Sequence, residues 1–155
     1  MIKKITSENL RWLAHKIIFH DLKSDYIIKG RPALLAQIPA HKSLLKAPDD
    51  KGLPIGNLSS QFFANLYLNE LDQYVKHQLK CKYYLRYCDD FLLLSNSIND
   101  LTSAKACIIN FLTKHLKLAL NEKYGEVLPI SNGIDFLGYI VRHEYWLVRQ
   151  RVVAN

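Results

Sequence analysis

The sequence predicts an α+β domain of ferredoxin-like type, a β-α-β-β-α-β unit whose first strand is missing. Three observations lead there. From Ser59 onward the apolar pattern alternates between helical and β spacing in the order helix, strand, strand, helix, strand. Two β-forming runs, Tyr83-Tyr84-Leu85 and Phe91-Leu92-Leu93-Leu94, flank a short polar tetrad, which is the pattern of a hairpin. The 155 residues are 49% hydrophobic and 23% charged, as in a globular chain with one ordinary core and unlike a disordered one.

Each element has its own reason. Residues 7–20 read as a helix, with Ser7 at the N-cap and Leu10, Leu13, Ala14, Ile17 and Ile18 at helical spacing. From His20 to Lys51 the chain reads as irregular, because Pro32, Pro39 and Pro48 break any long element. Gly52-Leu53-Pro54-Ile55-Gly56-Asn57 is a turn signal leading into the longest helix, about 59–79, whose stripe is Phe63, Tyr67, Leu71, Val75 and Leu79. The hairpin follows, then a helix over about 102–118 with Ala104, Ile108, Phe111, Leu112 and Leu116 inward. A short strand is expected near 126–130. A closing hairpin then has arms 134–141 and 145–149, with Arg142-His143-Glu144 at its turn. There are no internal repeats and no low-complexity tract.

Charge and cysteine usage narrow the class. A formal charge of +7 with pI near 9.3 favours a polyanionic partner, nucleic acid before membrane surface. Cys81, Cys88 and Cys107 form no CxxC pair and are odd in number, which argues against a disulfide framework or a zinc site. The six histidines are scattered without metal-ligand spacing. The N-terminus lacks the apolar stretch of a signal peptide, and no run approaches the ~18 apolar residues of a membrane helix. A soluble protein in a reducing, cytoplasmic setting is expected.

The chemistry concentrates in Tyr87-Cys88-Asp89-Asp90. Adjacent carboxylates at a hairpin tip, beside a buried sheet, carry negative charge that something positive should share. Mg²⁺ suits them, because it binds through one or two carboxylates plus substrate phosphates. Successive strand side chains point to opposite faces, so the two are not equivalent: Asp89 is expected as the direct ligand and Asp90 as the supporting one. A pair of ions ~3.5–4 Å apart needs a further carboxylate. An Asp-Asp pair taken alone equally suits a solvated turn; Asp49-Asp50, in a Pro-flanked loop, is the other such pair.

The tetrad matches the Tyr-x-Asp-Asp signature of reverse transcriptases. Residues 52–65, Gly52 to Asn65, resemble that family's glycine-rich motif before the palm helix, and Asn69-Glu70-Leu71-Asp72 continues it. Phe136-Leu137-Gly138-Tyr139 resembles the primer-grip hairpin. The closest flavour is bacterial: diversity-generating retroelement, retron and group II intron enzymes. The resemblance covers roughly residues 41–141, with three motifs in the family's order.

Its implications are specific. The chain would be a partial reverse-transcriptase palm with a C-terminal primer-grip-like hairpin. Residues 1–51 would lead into the palm, 52–141 would form it, and 142–155 would be a C-terminal strand and tail. The activity implied is RNA-directed DNA polymerase, with Asp89 and Asp90 on Mg²⁺ and Lys123 near the triphosphate. Gly52, Pro54, Gly56, Asn57, Gln61 and Tyr87 would lie against template and incoming dNTP, and residues 136–139 against the DNA primer. For each there is a plainer role: a helix-leading turn for the glycine loop, a solvated cation for Lys123, core packing for Phe136, and for Arg86 either nucleic acid or a structural salt bridge.

One family feature is missing. No segment like Asp-Ile-x-x-Phe-Phe precedes Gly52, so the catalytic aspartate of the first palm strand has no match. Asp21 and Asp25 are the candidates; Ile17-Ile18-Phe19 could pass for a strand before Asp21, but no aromatic pair follows. The chain therefore reads as the C-terminal portion of a palm, inactive by itself. Open sheet edges would invite self-association or repair by the segment Lys16–Phe19. The alternative is a non-catalytic nucleic-acid-binding remnant; an unrelated Mg²⁺-dependent hydrolase is disfavoured because no second acidic cluster supports it.

Overall fold

A computed structural model describes residues 5–21, 23–24, 26–40, 43–46, 58–121 and 125–153. The chain divides into two compact units, Met1–Leu66 and Tyr67–Asn155.

In the first unit, helix α1 spans Glu8–Ile18. The Ser7 hydroxyl accepts the Leu10 N–H at 3.5 Å, which satisfies one of the orphan donors of a helix start. Glu8 in the first turn and His15 and Lys16 in the last complement the helix dipole. The helix expected over 7–20 forms, so Ile17-Ile18-Phe19 is not the strand it could pass for. Ile17 and Ile18 are helical, and Phe19 caps the helix through its N–H to the His15 carbonyl, so Lys16–Phe19 is no strand for edge repair. Of the five apolar residues at helical spacing, Ala14 is buried and Ile18 half-buried, whereas Leu10, Leu13 and Ile17 are exposed. Short 3₁₀ turns at Pro32–Gln37 and Leu44–Lys46 interrupt the irregular segment. Pro at the first position of the former has no N–H to leave unpaired.

Helix α2 spans Leu58–Gln73 and ends in a π-helical turn, Tyr74–Gln78. Strands β1 (Tyr83–Tyr87) and β2 (Asp90–Leu94) pair antiparallel as a hairpin, with Leu85 opposite Leu92. Helix α3 spans Ile98–Phe111 and also ends in a π turn, Leu112–Leu116. It starts ahead of the predicted Thr102 because Ser97 is its cap: the Ser97 hydroxyl accepts the Asp100 N–H at 3.2 Å. The Ser-x-x-Asp spacing of a capping motif lay in the sequence before the apolar period began.

Both helices close alike. The Cys81 N–H reaches back to the Val75 carbonyl and the Leu118 N–H to the Leu112 carbonyl. Lys80 (φ 54°) and Lys117 (φ 53°) sit between in the left-handed region, where glycine is the usual residue. Leu71, Val75, Ile108, Leu112 and Leu116 form the core of this unit, with Tyr84, Phe91 and Leu93 of the hairpin packed on it. The Tyr74 and Phe111 rings stack at 4.2 Å, and the Tyr67 hydroxyl donates to the Leu116 carbonyl at 2.6 Å.

Two expectations beyond α3 need correction. No strand forms near 126–130; Pro129 instead precedes a 3₁₀ turn at Ile130–Asn132. A strand needs a ladder partner for its backbone groups; in a ferredoxin-like sheet the last strand lies beside the first, and among the described residues no strand precedes Tyr83. Nor does 134–141 form one arm. The chain folds back at Leu137-Gly138, making a three-stranded meander of β3 (Ile134–Phe136), β4 (Tyr139–Val141) and β5 (Trp146–Val148). Leu137 (φ 52°) and Gly138 (φ 86°) both carry positive φ, as a two-residue type I′ turn requires. Helix α4, Gln150–Val153, follows. The molecule is thus α+β, a partial palm. Among the described residues no helix is long and apolar enough to cross a membrane.

Candidate functional site

The hairpin tip is built by a two-residue turn. Tyr87 ends β1 and pairs with Asp90, the first residue of β2, leaving Cys88 and Asp89 as the turn. Cys88 takes φ 52°, a strained conformation for a residue with a Cβ. Asp90 therefore belongs to the ladder opposite Tyr87, whereas Asp89 stands outside it; the two carboxylates leave the backbone from different settings. Both are exposed, and Tyr87 is 60% exposed on the same sheet face as Asp90.

Alternation along β1 separates two faces. Tyr83, Leu85 and Tyr87 are exposed, while Tyr84 and Arg86 point to the helix side. There a charged network ties the hairpin to α2. Arg86 Nε donates to Asp72 Oδ1 at 2.8 Å and Nη2 to Asp72 Oδ2 at 2.6 Å, a two-pronged salt bridge. The Tyr84 hydroxyl donates to Asp72 Oδ1 at 2.7 Å. Arg86 Nη1 donates to the Cys88 carbonyl at 2.6 Å, reaching the turn itself. The side chains of Arg86 and Asp72 are 11% and 24% exposed, so their charges are screened less than at an open surface.

The titrations follow from these contacts. Burial pushes the Asp72 carboxyl up, but the hydrogen bonds from Arg86 and Tyr84 and the Arg86 charge outweigh it, leaving Asp72 below its ordinary value. Burial raises the Tyr84 phenol well above its usual range, and its bond to Asp72 raises it further. The bond to Asp72 likewise raises the Arg86 guanidinium. Of the two roles open to Arg86, the structure contains the salt bridge.

Gly52, Pro54, Gly56, Asn57 and Lys123 lie outside the described residues, as do Asp25, Asp49 and Asp50. Gln61 is exposed on α2 within the first unit. Phe136, Leu137, Gly138 and Tyr139 form the β3–β4 turn, with Phe136 half-buried and Tyr139 stacked on Trp146 at 5.5 Å. The Gly138 carbonyl accepts the Arg149 N–H at 2.8 Å, so this turn is anchored to the end of β5. Asp21 is engaged in a local turn, where its Oδ1 accepts the Lys23 N–H at 2.9 Å.

Asp72 was missed as part of the site. Its signal was present: it follows Leu71 and precedes Val75 by three, a carboxylate on the buried stripe of α2 that needs a cationic partner.

As a metal ligand set, Asp89 and Asp90 are two hard oxygen donors on adjacent residues. That suits one Mg²⁺ that keeps waters and substrate oxygens. Among the described residues no group of three His, Cys, Asp or Glu side chains converges, so these residues do not by themselves make a two-ion site.

Residues 7–141 match the family described as reverse transcriptase (RNA-dependent DNA polymerase), and the chain belongs to that family. No curated protein matches the chain.

Proposed function

We propose that the chain is the C-terminal part of the palm of a bacterial retroelement reverse transcriptase, of diversity-generating, retron or group II intron type. The observation that carries this is the Tyr87–Asp90 hairpin, which presents two adjacent carboxylates at an exposed tip beside an exposed tyrosine. In the full-length parent, Asp89 and Asp90 would hold Mg²⁺. Bound there, Mg²⁺ would supply charge stabilisation for nucleotidyl transfer between a primer 3′-hydroxyl and a dNTP. Tyr87, Gln61 and the glycine-rich loop Gly52-Leu53-Pro54-Ile55-Gly56-Asn57 position template and nucleotide. Lys123 neutralises or protonates the pyrophosphate. Residues 136–139 hold the primer strand. RNA template, DNA primer and dNTP are the partners.

Alone, the chain is expected to bind nucleic acid without catalysis, since no segment like Asp-Ile-x-x-Phe-Phe precedes Gly52 in its sequence. That same observation favours the second reading, a nucleic-acid-binding palm remnant.

Primer extension on poly(rA)/oligo(dT) with Mg²⁺, with Asp89→Ala in parallel, tests the proposal. The expected result is no extension by the chain alone, salt-sensitive template binding, and extension once a fragment carrying the first palm strand is added. Extension lost in Asp89→Ala supports the catalytic role. Complemented extension that survives Asp89→Ala overturns it. Failure of complementation with binding intact in Asp89→Ala favours the remnant.

A further inference from the structure

The guanidinium of Arg86 does two things at once. Nε and Nη2 are clamped by both oxygens of Asp72, at 2.8 and 2.6 Å, and Nη1 donates to the Cys88 carbonyl at 2.6 Å. The first pair of contacts fixes the plane of the group against α2. The third then delivers a charged donor to one atom of the tetrad turn. That atom belongs to Cys88, whose φ of 52° is unfavourable for a side-chain-bearing residue and persists only if its surroundings hold it. The carbonyl of Cys88 is bonded to the nitrogen of Asp89, so fixing its direction fixes the peptide plane from which Asp89 departs.

Lysine could keep the charge, but its single nitrogen cannot grip Asp72 with two prongs and reach the turn carbonyl together. Asp72 is in turn oriented by the Tyr84 hydroxyl at 2.7 Å. The line of contacts therefore runs from α2 through Arg86 to the turn, and ends one peptide bond from the carboxylate.

We infer that Arg86, anchored by Asp72, is a positioning residue that holds the Cys88-Asp89 turn in its cation-binding shape before the cation arrives. This rests on the reading of Asp89 and Asp90 as metal ligands. The logic is that of groups that orient metal ligands without touching the metal. The network is more than a brace between helix and hairpin: a brace needs the Asp72 contacts alone, and the Cys88 contact adds control of the turn.

The test is a titration of the ¹⁵N-labelled full chain with Mn²⁺ as probe, reading paramagnetic broadening of the Asp89 and Asp90 amides. The Val75 and Ile108 amides report whether the core is intact. In the wild-type chain broadening is centred on the turn, and Asp89→Ala removes it. A wild-type chain without local broadening overturns the metal reading, and the inference with it. Given wild-type binding, Arg86→Lys and Asp72→Asn should each weaken Mn²⁺ by about ten- to a hundredfold with core signals unmoved. Unchanged Mn²⁺ affinity in Arg86→Lys, even with a lowered melting temperature, makes the residue a structural brace and overturns the inference. Should Arg86→Lys fail to fold, the wild-type chain decides. A through-hydrogen-bond coupling between the Arg86 guanidinium and the Cys88 carbonyl supports positioning, and its absence overturns it.

Discussion

Lys80 and Lys117 occupy left-handed positions that most helices give to glycine, with φ of 54° and 53°. Each carries a Cβ against its carbonyl, a cost that glycine lacks. Glycine also adds backbone entropy to the unfolded chain, so the net gain is smaller than the strain. Lys80→Gly and Lys117→Gly should each stabilise the chain by ~0.5–1 kcal/mol, read as a raised urea midpoint at unchanged slope. A loss of stability in both would mean that the lysine side chains themselves support the helix ends. These positions were not legible in the sequence because neither carries the expected glycine. The turn at Leu137-Gly138 was hidden for the same reason: its first left-handed residue is a leucine, so only half of the usual signal is present. By contrast Ser7 was legible, since a hydroxyl ahead of an apolar period has one favoured use.

The joint between α2 and the β1–β2 hairpin is an ion pair that a pairwise experiment can isolate. Asp72→Ala or Arg86→Ala alone leaves a half-buried charge without its partner and should cost ~2–3 kcal/mol. The double variant should cost less than the sum, with a coupling of ~1–2 kcal/mol. Its pH dependence follows in sign. The folded pKa of Asp72 lies below the ordinary 3.8, so its contribution is present above pH 3.8 and is lost as pH falls through the lower folded value. Urea midpoints of wild type and Asp72→Asn should therefore converge on acidification below that point; a constant difference would locate the effect in packing. At this scale the hairpin was legible because two apolar runs bracket five residues, Arg86 to Asp90. The strand near 126–130 was not, since strand formation depends on a neighbour that lies elsewhere in the chain. The early start of α3 was lost because Asn99 and Asp100 carry no apolar period, although Ser97 and Asp100 form the cap.

For the whole molecule, the two-stranded β1–β2 sheet leaves backbone edges without a ladder partner among the described residues, and Tyr83, Leu85 and Tyr87 make its exposed face. Such edges template pairing with another strand. Since Lys16–Phe19 is not a strand, sedimentation over rising concentration should show self-association, shifted toward monomer by Leu85→Lys on that face. A monomer at every concentration would overturn this. The class of the fold and the tip of the hairpin were both legible, because order of elements and one tetrad suffice for them. The Asp72–Arg86 network was not, because its partners are fourteen positions apart and meet only through packing. The π turns at Tyr74–Gln78 and Leu112–Leu116 carry a last consequence, for the gene rather than the protein. Each wide turn holds one residue beyond the ordinary helical path. A single-codon deletion inside either that spares the core residues Val75, Leu112 and Leu116 would restore regular pitch just ahead of the left-handed cap. The same deletion elsewhere in α2 or α3 would swing the following face away from the core. Tolerated length variation in these two helices should therefore concentrate at those two turns.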